Sequence, residues 1–231
     1  PKFCTIRSRE MIKLTDAALY YKQESQQVEA WEWLEHNTDP TTLEIFAQKY
    51  REVPELICSN PLQVTYQSQN DNASGTGYRE CFSSSMAMIA MYWGKVANDD
   101  EYNSIRSKYG DSTSAEAQLA ALTSLGLDPT FVTNASLQTL KNEIDAARPV
   151  GVGWLHHGTP SAPSGGGHWT VVIGYDETGV IMNDPNGEAD LVNGGYTSNM
   201  NGAGLHYSYK NWSPRWTPGG TNDGWCMIVK P

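Results

Sequence analysis

Cys81-Phe82-Ser83-Ser84-Ser85-Met86-Ala87-Met88-Ile89-Ala90-Met91-Tyr92-Trp93-Gly94 is the stretch on which the fold turns. From Met86 to Trp93 nearly every position is apolar or small and no polar face exists, which predicts a central helix buried on all sides. Gly94 suits its C-terminal stop. The serines after Cys81 suit its opening turn, where backbone N–H groups lack intrahelical acceptors. A thiol at that end sits beside about half a positive charge from the aligned peptide dipoles, and the dipole favours the thiolate. Taken alone, Cys81 reads first as a small buried hydrophobe, as most unpaired cysteines do; partners elsewhere must change that reading.

The chain of 231 residues is 39% hydrophobic, with eight Trp, twelve Tyr and 21 Gly, the composition of a loop-rich globular protein. Its net charge of -10 argues against nucleic acid or an anionic membrane as partner, since both need a basic face. No apolar run approaches a membrane span, and Pro1-Lys2-Phe3-Cys4 has no apolar signal core, so a soluble chain without an export signal or membrane insertion is expected. Cys4, Cys58, Cys81 and Cys226 lack the spacing of a zinc site; free thiols are expected, with no metal and no cofactor.

Residues 14–36 and 42–51 read as two helices broken by Asp39-Pro40-Thr41, a helical hairpin filling residues 1–57. Trp31 and Trp33 on it suit packing against a neighbour or a ligand-binding face. Val53-Pro54-Glu55 and Ser59-Asn60-Pro61 mark a linker to a second domain, residues 61–231. There Leu62-Gln63-Val64-Thr65-Tyr66 alternates like a short strand, and helices are predicted over 101–108, 115–125 and 137–147. Asn98-Asp99-Asp100-Glu101 reads as a helix cap, since it lacks calcium-loop spacing.

The period then changes. Residues 150–155 read as an apolar strand and 156–167 as a Gly/Pro/Ser loop. Residues 168–175 and 180–184 read as strands around the turn Asp176-Glu177-Thr178-Gly179, residues 185–211 as surface loops, and 223–229 as a last strand. The sum is an α+β fold, helices first and sheet second. His168 and Asp184 fall toward one end of the hairpin. An odd number of loop residues would put them on one face and an even number on opposite faces, and the sequence leaves this open.

Thiol catalysis needs a thiolate, an imidazole to exchange its proton, and a group that orients the imidazole. Cys81, His168 and Asp184 are of those types, and Gln69 could add an N–H donor for an oxyanion. Each has a plainer reading: His168 as an ordinary strand histidine, and Asp184-Pro185-Asn186-Gly187 as a turn whose Asp caps its own backbone. His156 and His157 invite a metal reading with His168, but a solvated pair on a mobile flap beside a cleft fits their Gly/Pro setting better. No pair of carboxylates stands out for glycoside hydrolysis.

Gln69 ahead of Cys81, the apolar helix after it, the run Gly165-Gly166-Gly167-His168-Trp169-Thr170-Val171-Val172-Ile173-Gly174-Tyr175, and Asn183-Asp184-Pro185 resemble papain-like cysteine peptidases of the bacteriocin-processing-peptidase-like group. Tyr207 to Trp212, Pro214-Arg215-Trp216 and Gly224-Trp225 resemble the C-terminal part of phage-encoded cell-wall hydrolases in that group. The resemblance spans about residues 60–231. It implies a papain-like fold, a helical lobe packed on an antiparallel sheet. It also implies Cys81 as nucleophile, His168 as general base and acid, Asp184 as orienting carboxylate, and Gln69, or else Gln67, as oxyanion donor.

Its further implication is a cysteine endopeptidase acting on peptides of bacterial peptidoglycan as an endolysin, released from the host cytoplasm to the wall through a holin. Polypeptide or leader-peptide substrates are the alternative, and an inactive wall-binding module a third.

Overall fold

The computed structural model describes residues 4–7, 55–58 and 60–231. The chain divides into two compact units, residues 2–57 and residues 58–231. Strands β1 (Cys4–Arg7) and β2 (Glu55–Cys58) pair with each other. The helices expected over 14–36 and 42–51 lie outside the described residues.

The second unit begins with two 3₁₀ turns, Gln69–Asp71 and Gly77–Arg79, leading to α1 (Cys81–Tyr92). Helices α2 (Asp99–Arg106) and α3 (Ala115–Ser124) follow, then strand β3 (Asp128–Ala135) and helix α4 (Leu137–Asp145). Asn98 caps α2 as expected, its side chain accepting from the Glu101 N–H at 2.9 Å. The remaining elements are β4 (Val150–Trp154), β5 (His157–Thr159), β6 (Ala162–Ser164), β7 (His168–Tyr175), β8 (Gly179–Asn183), β9 (Glu188–Ala189), β10 (Tyr196–Ser198), β11 (Leu205–Ser208), α5 (Tyr209–Trp216) and β12 (Gly224–Lys230). A six-stranded antiparallel sheet runs β11-β8-β7-β4-β12-β3.

Helix α1 is central, and every residue from Phe82 to Ala90 is buried. Its apolar part packs on the Trp169, Val171 and Ile173 face of β7 and on Met227 and Val229 of β12. Each fully buried Met or Ile there contributes about 1.5–3 kcal/mol. The buried serines need partners instead. Ser83 Oγ accepts from Arg106 Nε at 3.1 Å and Gln118 Nε2 at 3.0 Å. Ser84 Oγ donates to Asp99 Oδ2 at 3.1 Å and accepts from Asn72 Nδ2 at 3.2 Å.

The face question is settled by a β-bulge. Next to the turn the pairs are Tyr175 with Val180 and Gly174 with Ile181; beyond it they are Val172 with Met182 and Val171 with Asn183, which leaves Ile173 as an extra residue. Continued without interruption, the first two pairs would set Asp184 opposite Val171, on the far face from His168. The extra residue sets Asp184 opposite Thr170, and residues 168 and 170 share a face. The Ile173 carbonyl accepts from the Leu62 N–H at 2.7 Å.

Four expectations are corrected. Residues 62–66 form no strand, because their edge is spent on single bonds to the bulge and to the Asn183 side chain. The mainly helical half contains β3, an edge strand that accommodates Pro129. The 156–167 loop holds the β5–β6 hairpin. The supposed surface loop 185–211 contains β9, β10 and β11 and runs into α5, whose Trp212 and Trp216 are buried.

Candidate active site

His168 opens β7 and Asp184 follows the last residue of β8, so the bulged hairpin brings them together. His168 Nε2 lies 2.7 Å from Asp184 Oδ1, and both residues are buried. The carboxylate is held on every side. Tyr207 Oη donates to Oδ2 at 2.9 Å, the Asn186 N–H donates to Oδ1 at 3.0 Å, and Tyr196 Oη lies 3.4 Å from both oxygens. Behind it the Asp184 N–H donates to the Gly202 carbonyl at 2.7 Å. A Cβ on Gly202 would strike the Asp184 carbonyl, so the close approach requires glycine.

Cys81 is partly exposed at the first position of α1 and is hydrogen-bonded to the His168 side chain. With Nε2 turned to Asp184, Nδ1 is the ring nitrogen left for the sulfur. Burial pushes the Cys81 thiol up. The charge of His168, its hydrogen bond and the Trp169 backbone N–H outweigh burial and the opposing charge of Asp184, and hold the thiol below its usual value. Burial likewise disfavours charge on His168, but Asp184 and Cys81 raise the imidazole well above its ordinary 6.5. The two shifts run in the same sense, each favouring the charged form of its group, which is what a thiolate–imidazolium pair requires.

Gln69 is buried in the first 3₁₀ turn; its Nε2 donates to the Gly77 carbonyl at 2.9 Å, and its Oε1 accepts from no described residue. The two 3₁₀ turns touch where Gly77 abuts the Gln69 carbonyl, too close for any Cβ. Gln69 is thereby fixed to the segment that delivers Cys81. Gln67 is occupied elsewhere: its Nε2 donates to the Tyr66 carbonyl at 2.8 Å and its Oε1 accepts from the Asp99 N–H at 3.1 Å.

Sequence reasoning did not find Tyr196 and Tyr207 as partners of Asp184, the Trp169 N–H at the sulfur, or Glu80. Glu80, buried just before Cys81, accepts from Asn72 Nδ2 at 2.6 Å, Thr76 Oγ1 at 2.7 Å and Ser74 Oγ at 2.8 Å. Burial raises its carboxyl, yet these bonds and the charge of Arg106 bring it below the usual range, so a fixed anion ties down the loop before Cys81. Asp184 partners were invisible because 12 and 23 residues separate them from it and no local period links them.

His156, half-buried, stands with its ring centroid 5.6 Å from His168 and 4.0 Å from His157. Burial, then the charge of His168, pulls it down to about 4, so it is neutral at pH 7. Among the described residues no group of three or more His, Cys, Asp or Glu side chains is placed to hold a metal ion. No helix among them is long and apolar enough to cross a membrane.

The model of the Peptidase_C39 like family matches residues 61–213. No curated protein sequence matches the chain. Among solved structures, one described as a C39-like peptidase from Bacillus anthracis is similar, with a TM-score of 0.51 and 15% identity over 73% of this chain and 96% of that one. A double glycine motif protease from an AMS/PCAT transporter, in complex with the leader peptide, aligns with a TM-score of 0.49 and 19% identity over 74% of this chain and 94% of that one. The peptidase domain of Streptococcus ComA, a bi-functional ABC transporter of a quorum-sensing pathway, aligns with a TM-score of 0.44 and 20% identity over 67% and 93%.

Proposed function

Because the chain belongs to the Peptidase_C39 like family and is a cysteine peptidase of the C39 type, we propose that Cys81, His168, Asp184 and Gln69 carry its chemistry on polypeptide substrates. The observation that supports the roles is one imidazole held between the Cys81 sulfur and the Asp184 carboxylate.

In this reading the Cys81 thiolate attacks the scissile carbonyl carbon, forming a C–S bond while the carbonyl π electrons move to oxygen. The oxyanion is met by the second N–H of Gln69 Nε2 and by the Cys81 backbone N–H at the start of α1. The imidazolium of His168 gives its proton to the departing amide nitrogen as the C–N bond breaks, leaving a thioester and a free amine. Water then loses a proton to His168 and attacks the thioester. The C–S bond breaks to release the carboxylic acid product, and the thiolate–imidazolium pair is restored. Asp184 keeps the ring oriented and stabilises its charge throughout.

The cell-wall substrate expected from the sequence rests on residues 207–225, and those residues have other work here. Tyr207 binds Asp184, Trp212 and Trp216 are core, and the Arg215 guanidinium is spent on backbone carbonyls. Their pattern supports a shared fold more than a shared substrate. Polypeptide therefore stands first, and stem peptides of peptidoglycan second.

Digestion of a denatured protein and of purified peptidoglycan, each by the wild type and by Cys81→Ala, tests both. New termini from the polypeptide with wild type only are expected. Cleavage surviving in Cys81→Ala overturns the assignment of the nucleophile. Muropeptide release without polypeptide cleavage reverses the order of substrates, and wall retention without any product points to a binding module.

A further inference from the structure

Trp169, Gly153 and Trp225 are direct cross-strand neighbours on β7, β4 and β12. They therefore form one row on one face, with a missing side chain between two indoles. A Cβ on Gly153 would come within 2.9 Å of the Trp169 ring, so its absence lets that indole lie over β4. The row begins at the proposed chemistry: the Trp169 N–H bonds the Cys81 sulfur, and its ring stacks on Phe82 with centroids 3.7 Å apart. It ends at Trp225, which is 52% exposed although it is large and apolar.

A slot of about 440 Å³ lies along this row, and the exposed glycines 165–167, just ahead of His168, line it. Its two charged side chains each bond to backbone. Arg215, fully buried, donates to the carbonyls of Leu155, His157, Gly158 and Leu191. Asp223 Oδ2 accepts from the Gly219 N–H at 2.7 Å. The indole faces that line it favour an apolar occupant.

We propose that this slot is a specificity pocket for one large apolar side chain of the substrate, aromatic by preference, close to the bond that is cut. The proposal rests on the peptidase reading above, since only a chain lying across Cys81 would bring a side chain there. Trp225 is the residue that determines the preference, because it is the most exposed of the row and flanks the gap at Gly153.

The test is a peptide series in which the cut bond is located by mass analysis and each flanking position is set in turn to Gly, Leu, Phe, Trp, Lys or Asp. At one position, Phe or Trp is expected to exceed Gly in kcat/KM by roughly 10- to 100-fold, and Trp225→Ala should reduce that ratio about tenfold. A ratio unchanged in Trp225→Ala, no positional preference, or a preference for Lys, Asp or Gly would overturn the pocket.

If the wild type cuts none of the peptides, the peptidase reading fails, and the pocket is judged by binding alone. Cys81→Ala protein is titrated with the Phe peptide and its Gly counterpart while the Trp225 indole N–H is followed by NMR. A shift with the Phe peptide only supports the pocket, and no shift with either overturns it.

Discussion

The two faces of β7 share a backbone and little else. One presents Trp169, Val171 and Ile173 to the apolar core under α1. The other carries His168 and Thr170, whose Oγ1 accepts from Trp154 Nε1 at 3.1 Å and approaches Met182 Sδ at 2.9 Å, and it meets Asp184 at its end. The first face is built by burial alone and tolerates no unpaired polar atom cheaply. The second is polar and buried, and stands because every group on Asp184 has a partner. The single extra residue at Ile173 keeps them distinct, for without it the carboxylate would point into the wrong layer.

The polar face is broken most completely by Asp184→Asn, which keeps the shape and removes the charge. Activity should fall roughly 10²- to 10⁴-fold while far-UV circular dichroism stays that of the wild type. The pH profile should move as well. His168 is raised in the folded protein, so its proton is present below that raised value and is lost as pH climbs through it. Asp184 is the chief group holding it up, after burial, which pulls the other way. The alkaline limb of kcat/KM in Asp184→Asn should therefore begin at lower pH than in the wild type. An unmoved limb would mean that Asp184 does not act through His168.

Tyr207→Phe is a smaller cut on the same face. It deletes the 2.9 Å donor to Asp184 Oδ2 and leaves the ring in place. The loss of one hydrogen bond to a charged group costs about 1.5–3 kcal/mol. A fall in kcat of about tenfold with little change in KM is expected if the phenol positions the carboxylate. A stability loss with unaltered kcat would assign Tyr207 to the fold alone.

The difference between the faces also explains what could be read beforehand. Helix α1 was legible because Met86 to Trp93 has no polar position, and β7 and β8 because of their apolar runs and the Asp176–Gly179 turn. The relation of His168 to Asp184 was not, since a bulge at Ile173 leaves no mark in an apolar run. Strand β3 was hidden by Pro129 and by polar residues that an edge strand permits, and α5 by Pro214 within its last turn. Gln69 and Gln67 look alike in sequence; only their partners, Gly77 for one and Asp99 for the other, separate them.

The smallest expected effects lie where α1 covers the apolar face, in two buried serines two positions apart. Ser83 Oγ accepts from Arg106 Nε and Gln118 Nε2, so Ser83→Ala strands two buried donors, one of them charged, and should destabilise by about 1–3 kcal/mol. Ser85 Oγ is equally buried and has no partner among the described residues. Its removal relieves an unmet hydroxyl and improves helix propensity, so Ser85→Ala should be neutral or stabilise by up to about 1 kcal/mol. Urea unfolding of the two variants beside the wild type measures the difference. Equal destabilisation would show that the hydroxyl at Ser85 is bonded after all, and that the polar opening of α1 extends one residue deeper into the apolar layer than its hydrogen bonds indicate.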